Sequence, residues 1–149
     1  MKHTSVLFAI CCLVSAVSAQ FLETTIQLDS NNAPSALCYN SQNNKIYCAN
    51  HWVPDYNVTV IDGATDSVIA IIPSGQEPLA LCYNSQNNKV YCVNYYIASV
   101  MVIDGASDSV VATVGTVAPW ALCYNPQSNK VYCANRDIGE VTVIDGGTD

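Results

Sequence analysis

The sequence contains few basic side chains and very little histidine. Its 149 residues include 5 Lys and Arg against 12 Asp and Glu, so the formal net charge is −7. A surface with this acidic excess repels phosphate backbones, which predicts no nucleic-acid partner. Only 11% of the residues are charged while 50% are hydrophobic, a balance that excludes an intrinsically disordered chain.

Catalytic motifs are also scarce. No serine stands in a Gly-x-Ser-x-Gly elbow, and no glycine-rich loop is present to hold a phosphate. Beyond residue 19, His51 is the only histidine. His51 and Asp55 are conceivable as an acid–base pair, but a single loop histidine is more often simply solvated. We therefore assign no catalytic residue, no metal ligand and no cofactor.

A hydrophobic run long enough to span a bilayer is absent. The longest apolar stretch, Val6–Val14, follows a short polar start and precedes small residues that end at Ala19. This arrangement predicts a signal peptide over residues 1–19, with cleavage before Gln20. We expect an exported protein with no membrane span after signal removal, either secreted, at the cell surface or in a periplasm.

The sequence does contain one unit that is repeated three times. The segment Pro34–Asn50 recurs at Pro78–Asn94 and Pro119–Asn135, with offsets of 44 and 41 residues, and Val-x-Val-Ile-Asp-Gly follows each copy. Short β-branched and aromatic runs alternate with Asn, Ser and Asp-Gly turn signals, and no window has apolar residues at the helical period. Each unit has four such runs, labelled a to d, which in the first unit are residues 36–39, 45–49, 58–61 and 67–72. Four antiparallel strands per unit predict the blade of a β-propeller.

The repeated segments resemble a known family. Tyr-Asn-x-Gln-x-Asn-Lys-Val-Tyr-Cys-Ala-Asn, followed by Val-Thr-Val-Ile-Asp-Gly, is similar to the YVTN-type β-propeller repeat of exported and surface-layer proteins. The resemblance implies a ring of about seven blades and says little about chemistry. We therefore expect an all-β chain in which residues 20–149 form a partial propeller of about three blades. Its repeats are 34–77, 78–118 and 119–149.

The phase of the repeat bears on how a ring would close. Residues 23–28 align without gaps with the fourth strand of the first repeat, whereas the third repeat holds only three strands. We expect 23–28 to be a strand of a neighbouring or closing blade. Three blades are too few for a closed propeller, which typically uses 4 to 8. Either the sequence is a piece of a longer protein, or two copies form a homodimeric ring of six blades.

Six cysteines beyond residue 19 stand in three equivalent pairs, and an even number in an exported protein favours disulfides. Folding strand a onto strand b about Asn43 predicts a bond within each blade. The predicted bonds join Cys38 to Cys48, Cys82 to Cys92 and Cys123 to Cys133. Buried thiols or bonds between blades are the alternatives. Zinc is disfavoured because its ligands usually stand closer together in sequence.

The turns recur almost unchanged between copies, which indicates a structural role. The c–d turns, Asp-Gly-x-x-Asp, are interpreted as turn chemistry, because two carboxylates are too few for a calcium site. The b–c and d–a connections differ between copies and are expected to share one face, where ligands would bind. The candidate binding residues there are His51, Trp52, Asp55, Tyr56, Tyr95, Tyr96, Trp120, Arg136 and Asp137. Their aromatic rings either form a platform or pack between blades.

Two functions remain open at this point. One is an exported propeller that acts as a binding or structural module for a protein or glycan partner through its variable connections. The other is part of a propeller enzyme of the gluconolactonase or quinoprotein kind, with its active site in blades outside this sequence. The near-identical repeats supply no differentiated ligand set for the second function, and the fold alone does not decide between them.

Overall fold

The fold is known from a computed structural model that describes residues 21–28, 32–51 and 56–147. The predicted signal peptide at 1–19 lies outside these residues. Within them the chain forms eleven strands and no helix, so no helix there is long and apolar enough to cross a membrane. The strands are β1 Pro34–Asn40, β2 Lys45–Asn50, β3 Asn57–Asp62, β4 Val68–Pro73, β5 Pro78–Asn84, β6 Lys89–Asn94, β7 Ser99–Asp104, β8 Ser109–Gly115, β9 Pro119–Asn125, β10 Lys130–Asn135 and β11 Glu140–Asp145.

The strands form three antiparallel sheets in which each strand pairs with its neighbour in the sequence. The first sheet has the order β1-β2-β3-β4, the second β5-β6-β7-β8, and the third β9-β10-β11. The predicted all-β units of strands a to d are therefore confirmed. Residues 23–28 are described but belong to no sheet, so the predicted strand is not formed there. The first sheet already has its fourth strand, and 23–28 would have to pair with a different sheet.

Asparagine and aspartate side chains close the turns at one end of the sheets, which we call the turn end. In the a–b turn, Asn40 Oδ1 accepts two backbone N–H groups at 3.0 and 3.1 Å. Asn44 then adopts a φ of 52°, which asparagine tolerates well. In the c–d turn, Asp62 Oδ1 accepts the N–H of Ala64 at 2.9 Å, and the hydrogen bonds there lower the pKa of that carboxyl. The interpretation of these aspartates as turn residues is confirmed.

Neighbouring sheets bury their faces against each other. Strand β6 is buried along its whole length, because successive side chains enter the two different junctions on either side of the second sheet. The first junction packs Tyr47, Val58, Val60 and Ile72 against Val90, Cys92, Met101 and Ile103. The second packs Tyr91, Val93, Val100 and Val102 against Val131, Cys133 and Ile144. Apolar burial between sheets is thus the core of the molecule.

A polar contact, which we call the latch, joins the first two sheets at the turn end. Lys45 Nζ lies 2.8 Å from Asp108 Oδ2, and the Tyr47 hydroxyl donates a hydrogen bond to Asp108 Oδ1 at 2.6 Å. Both donors are on β2, and the acceptor follows β7 in the c–d turn of the next sheet. Burial, and then the hydrogen bond to Asp108, raise the pKa of Tyr47. The Lys, Tyr and Asp of the repeated motif therefore connect the first two sheets.

Asparagines form a second tie at the same end. Asn40 Nδ2 donates to Asn88 Oδ1 at 2.9 Å across the first junction, and Asn84 Nδ2 donates to Asn129 Oδ1 at 2.9 Å across the second. Gly105 lies against this tie. A Cβ on Gly105 would meet the Asn40 side-chain amide, and it would come within 2.8 Å of the Asn88 carbonyl oxygen. The repeated glycine is explained by this close approach.

The predicted disulfides within each blade are wrong. The a–b turn pairs Asn40 with Lys45, which places Cys38 opposite Tyr47 and not opposite Cys48. The prediction assumed a hairpin centred on Asn43, and the difference of one residue sends the two sulfurs to opposite faces of the sheet. The pairs Cys82 and Cys92, and Cys123 and Cys133, are separated in the same way, and all six cysteines are free.

The thiols instead serve as small apolar side chains, most clearly on the b strands. Cys48, Cys92 and Cys133 are buried, whereas Cys123 on β9 is exposed. Burial raises the pKa of the Cys38 thiol to about 11 and that of the Cys82 thiol to about 12. Since the thiolate is the reactive form, these groups are protected chemically as well as sterically.

We predict that cysteine alkylation of the folded chain will follow this order. At about pH 8, iodoacetamide should modify Cys123 first, Cys38 and Cys82 much more slowly, and Cys92 only after denaturation. Peptide mass spectrometry of samples quenched over time measures the order, and a denatured sample is the control. A disulfide bond between any two cysteines would contradict the prediction. It would be detected as a mass lower by two hydrogens and as the absence of alkylation of both cysteines in the denatured sample.

The raised pKa of Tyr47 predicts alkaline destabilisation. Below pH 10 the Tyr47 phenol is neutral in both the folded and the unfolded chain, and its full contribution to the free energy of unfolding is present. As the pH rises above 10 the unfolded chain ionises first, so folding stability falls. Tyr47→Phe should lower stability by about 1–3 kcal/mol at about pH 8, through loss of the bond to Asp108, and should make the fall above pH 10 shallower.

Urea unfolding between about pH 8 and about pH 11 tests this expectation. Tyr96→Phe is the matched control, because this substitution also removes a phenolic hydroxyl but does so at a side chain that is 71% exposed. Its pH profile should coincide with that of the unmodified chain. Parallel profiles for the unmodified chain and Tyr47→Phe would show that the Tyr47 phenol is not held neutral by the fold.

Candidate functional site

The b–c and d–a connections lie together at the end of the sheets opposite the turn end, as the sequence predicted. The residue after each b strand donates its backbone N–H to the carbonyl of the residue before the a strand. These bonds are His51 to Ala33 at 2.9 Å, Tyr95 to Glu77 at 3.0 Å and Arg136 to Ala118 at 2.7 Å. We call this end the loop end. Equivalent backbone contacts therefore place those candidate binding residues that the structure describes at one end of the sheets.

Three of the predicted residues contact one another in what we call the platform, formed by Tyr95, Trp120 and Arg136. The Tyr95 and Trp120 rings meet edge to face, with centroids 5.7 Å apart and planes at 83°. Arg136 Cζ lies 4.4 Å from the centroid of the Trp120 ring, within the range of a cation–π contact. Tyr95 follows β6, Trp120 is in β9 and Arg136 follows β10, so the platform crosses the junction between the second and third sheets.

The platform remains accessible to solvent. Trp120 is 44% exposed and the Arg136 side chain 49% exposed, and Arg136 Nε also lies 3.2 Å from Asp137 Oδ2. Tyr96, next to Tyr95, is 71% exposed. The aromatic rings therefore pack on one another without being covered. The sequence had left open whether these rings form a platform or pack between blades, and the Tyr95 and Trp120 rings do both.

The first sheet contributes a separate part of the loop end. His51 and Tyr56 flank its b–c connection, and the Tyr56 carbonyl accepts the N–H of Ser74 at 3.1 Å. Both residues are partly buried. Trp52 and Asp55, also predicted as binding residues, lie outside the described residues.

Three aliphatic residues of the loop end were missed in the sequence. Ile97 and Ile138 occupy the equivalent third position of two b–c connections and are 49% and 40% exposed, and Val117 in a d–a connection is 55% exposed. A polar loop does not need an isoleucine at the same position in two copies. This recurrence in the sequence could have identified the two isoleucines as candidate binding residues. Together they add apolar surface to the connections that hold the platform.

The backbone is more strained at the loop end than at the turn end. Ala98, Ala118 and Glu77 adopt positive φ values of 51°, 44° and 58°. At the turn end the non-glycine residues with positive φ are asparagine or aspartate, which tolerate it: Asn44, Asp66, Asn88, Asp108 and Asn129. Strain held in residues that do not favour it is a pointer to function, and here it coincides with the variable connections.

Among residues 21–28, 32–51 and 56–147, no three His, Cys, Asp or Glu side chains are close enough together to hold a metal ion. Among the described residues, the loop end contains aromatic and aliphatic side chains, the Arg136 guanidinium, the His51 imidazole and the carboxylates of Glu77 and Asp137. Such a set suits non-covalent recognition.

Comparison with known proteins gives similarity of structure only. No protein-family model matches the sequence, and no curated protein matches it. The chain is similar in structure to hydrazine synthase of Kuenenia stuttgartiensis, with 20% identity and a TM-score of 0.69, over 86% of this chain and 37% of that one. It is also similar to U3-55K, with 12% identity and a TM-score of 0.69, over 80% of this chain and 38% of that one. The WD40 repeats of RRP9 match with 13% identity and a TM-score of 0.69, over 80% of this chain and 37% of that one.

At these identities the likeness shows the fold alone. WD40 repeats form propeller blades of four antiparallel strands, which is the architecture of the sheets described above. The chain spans about 37–38% of the solved chains that it matches. The three sheets are therefore part of a β-propeller, as the repeat predicted.

We predict that Ala98→Gly will stabilise the protein. Alanine at a φ of 51° is strained, and the equivalent position in the third repeat is Gly139, with a φ of 68°. Relief of this strain should raise the free energy of unfolding by about 0.5–1 kcal/mol, measured by urea denaturation. Ala112→Gly, in β8 and outside the positive-φ residues, is the control and should lower stability by about 0.5–1 kcal/mol. Equal changes in the free energy of unfolding for Ala98→Gly and Ala112→Gly would show that Ala98 is not strained.

Proposed function

We propose that this chain is an exported propeller module of the YVTN type that binds a protein partner through the platform at its loop end. The repeated Asn-Lys-Val-Tyr and Val-Ile-Asp-Gly segments support the YVTN assignment, and the leader-like residues 1–19 support export to the cell surface or beyond. The blades act as the rigid support, and the variable connections provide the contact surface.

The observation that carries the proposal is the exposed stack of Tyr95, Trp120 and Arg136. Tyrosine, tryptophan and arginine are the residue types that dominate binding energy in protein interfaces. Their mutual contacts, 5.7 Å between rings and 4.4 Å from guanidinium to ring, fix the side chains before a partner arrives. Less rotamer entropy is then lost on binding.

A protein partner fits the platform better than a glycan does. Arg136 lies over the Trp120 ring, so that side of the indole is not free to stack on a sugar. The neighbouring exposed side chains Ile97, Val117 and Ile138 are aliphatic, which suits the apolar centre of a protein interface. A glycan is the competing outcome of the experiment below.

The test compares variants of the immobilised chain as bait for secreted and surface proteins of the producing cells, with quantitative mass spectrometry of what is retained. A partner held by the unmodified chain should be lost at least about tenfold with Trp120→Ala and with Arg136→Ala. Thr113→Ala, exposed on the outer strand β8, is the matched control and should retain it. Far-ultraviolet circular dichroism confirms that each variant is folded.

Two results would argue against the proposal. Retention of the same proteins by all variants would exclude the platform as the contact surface. Release of the bound material by soluble oligosaccharides prepared from the same cell surface would identify a glycan ligand and contradict a protein partner.

A further inference from the structure

The guanidinium of Arg136 is only partly paired in the structure. Its Nε lies 3.2 Å from Asp137 Oδ2 in an exposed contact, and its Cζ lies over the Trp120 ring. Beyond this ion pair, no oxygen of the described residues accepts a hydrogen bond from its five N–H groups. Most of the donors of the platform's cation therefore remain available to a ligand.

The fold itself does not need a guanidinium at this position. The residue after each b strand donates its backbone N–H to the d–a connection, and this residue is His51 in the first repeat, Tyr95 in the second and Arg136 in the third. Three different side chains thus accompany the same backbone contact. The Arg136 side chain is left for a role outside the repeat, and its contact with Trp120 places that role at the platform.

Two contacts fix the guanidinium before any partner binds. The Arg136 N–H donates to the Ala118 carbonyl at 2.7 Å, and the side chain lies 4.4 Å from the centroid of the Trp120 ring, which also contacts Tyr95. A guanidinium is planar and presents its donors in a rigid fork. An ordered one therefore selects its acceptor by geometry as well as by charge.

A protein that covers the platform also removes water from this guanidinium. The exposed Ile138 lies two residues after Arg136, and the exposed Val117 precedes Ala118, whose carbonyl accepts the Arg136 N–H. Aliphatic side chains of both connections thus accompany the charge. Burial of a charged group lowers affinity unless the group is paired and hydrogen-bonded. The partner must therefore bring an acceptor to Arg136.

Asp137 does not provide that acceptor in full. Its side chain is 78% exposed and contacts the guanidinium at Nε, and an exposed ion pair of this kind stabilises very little. The contact nevertheless shows which group the guanidinium accepts beside the Trp120 ring, namely a carboxylate. Because the pair is weak, a second carboxylate can take the place of Asp137 with little loss of free energy.

A carboxylate of a partner side chain fits this place best. Its two oxygens match two N–H groups of the fork, and charge-assisted bonds of this geometry are among the strong ones in proteins. A C-terminal carboxylate is typically captured by free backbone N–H groups, whereas the N–H groups of Tyr95 and Arg136 are bonded to Glu77 and Ala118. Aspartate and glutamate are then the source of a carboxylate that suits the loop end.

From these observations we infer that the protein partner presents an aspartate or glutamate carboxylate to Arg136, and that this carboxylate displaces Asp137. The inference rests on the proposed function, since it states what covers the platform. The apolar part of the partner packs on Trp120 and the exposed aliphatic side chains, and its carboxylate accepts from the fork of Arg136. The net charge of −7 repels a generally acidic protein, so the rest of the contacting surface is apolar or basic.

The direction of the effect of Asp137→Asn tests this inference. In the capture experiment described above, with the captured proteins below saturation, Asp137→Asn should raise the amount retained about two- to fivefold, because Arg136 then has no competing carboxylate. Asparagine tolerates the φ of 65° at this position. Asp66→Asn, which removes the same charge from an exposed residue of the turn end, is the matched control and should leave retention unchanged. A fall in retention with Asp137→Asn would indicate a cationic partner group and overturn the inference.

Substitutions of Arg136 separate its charge from its shape. Arg136→Gln removes the charge and should lower retention at least about tenfold. Arg136→Lys keeps the charge without the planar fork, and it should also retain less than the unmodified chain. Loss of the partner with Trp120→Ala, together with full retention by Arg136→Gln, would leave the proposed function standing and overturn the carboxylate contact.

Once the retained protein is identified from its peptides, exchange of charges tests the contact directly. Each of its aspartates and glutamates is changed in turn to lysine, and each variant is offered to the unmodified chain and to Arg136→Glu. At one position, the lysine variant should bind the unmodified chain at least about tenfold less and should be recovered by Arg136→Glu. The absence of any such position would contradict the inference. Equal retention by every variant of this chain, or no protein retained by the unmodified chain, would overturn the proposed function and the inference with it.

Discussion

The structure depends on one constraint: a sheet of this repeat cannot bury its own faces. Val100 and Val102 are inaccessible because a third sheet covers them, and Val141 and Val143 in the same register are half exposed. Four short strands hold a hydrogen-bonded sheet together, but the apolar free energy is gained only between sheets. The latch between β2 and the next c–d turn adds direction to that packing, because its donors and acceptors lie on different sides of each sheet.

This constraint separates the two ends of the molecule. At the turn end, Asn40 closes a turn within its own sheet and also donates a hydrogen bond to the neighbouring sheet, while Asp62 closes the c–d turn. At the loop end, the variable side chains do not have these two structural roles. Its backbone bonds hold each connection in place, and its side chains are free to differ, which is where tyrosine, tryptophan and arginine converge.

The sequence was informative about features that local patterns of the repeat determine, such as strands and turns. It was uninformative about features that depend on the exact pairing register of two strands. Four strands per unit, the turn chemistry and the shared side of the b–c and d–a connections all follow from local patterns. The cysteine pairing failed because a four-residue turn and a turn centred on Asn43 differ by one position, and one position inverts the face. The contact between Arg136 and Trp120 joins two different connections, and no local pattern specifies it.

The few cations of this acidic chain follow the same division. Lys45 is held by the carboxylate of the adjacent sheet, Lys89 at the equivalent position is buried, and Lys130 is the third member of that series. Among the described residues, Arg136 is the basic side chain that lies outside this series. A net charge of −7 gives it no role in long-range attraction of anions. Its contact with Trp120 makes it part of a local surface that is ordered before binding and still exposed to solvent, and a planar guanidinium stacked on an aromatic ring is well suited to recognition there.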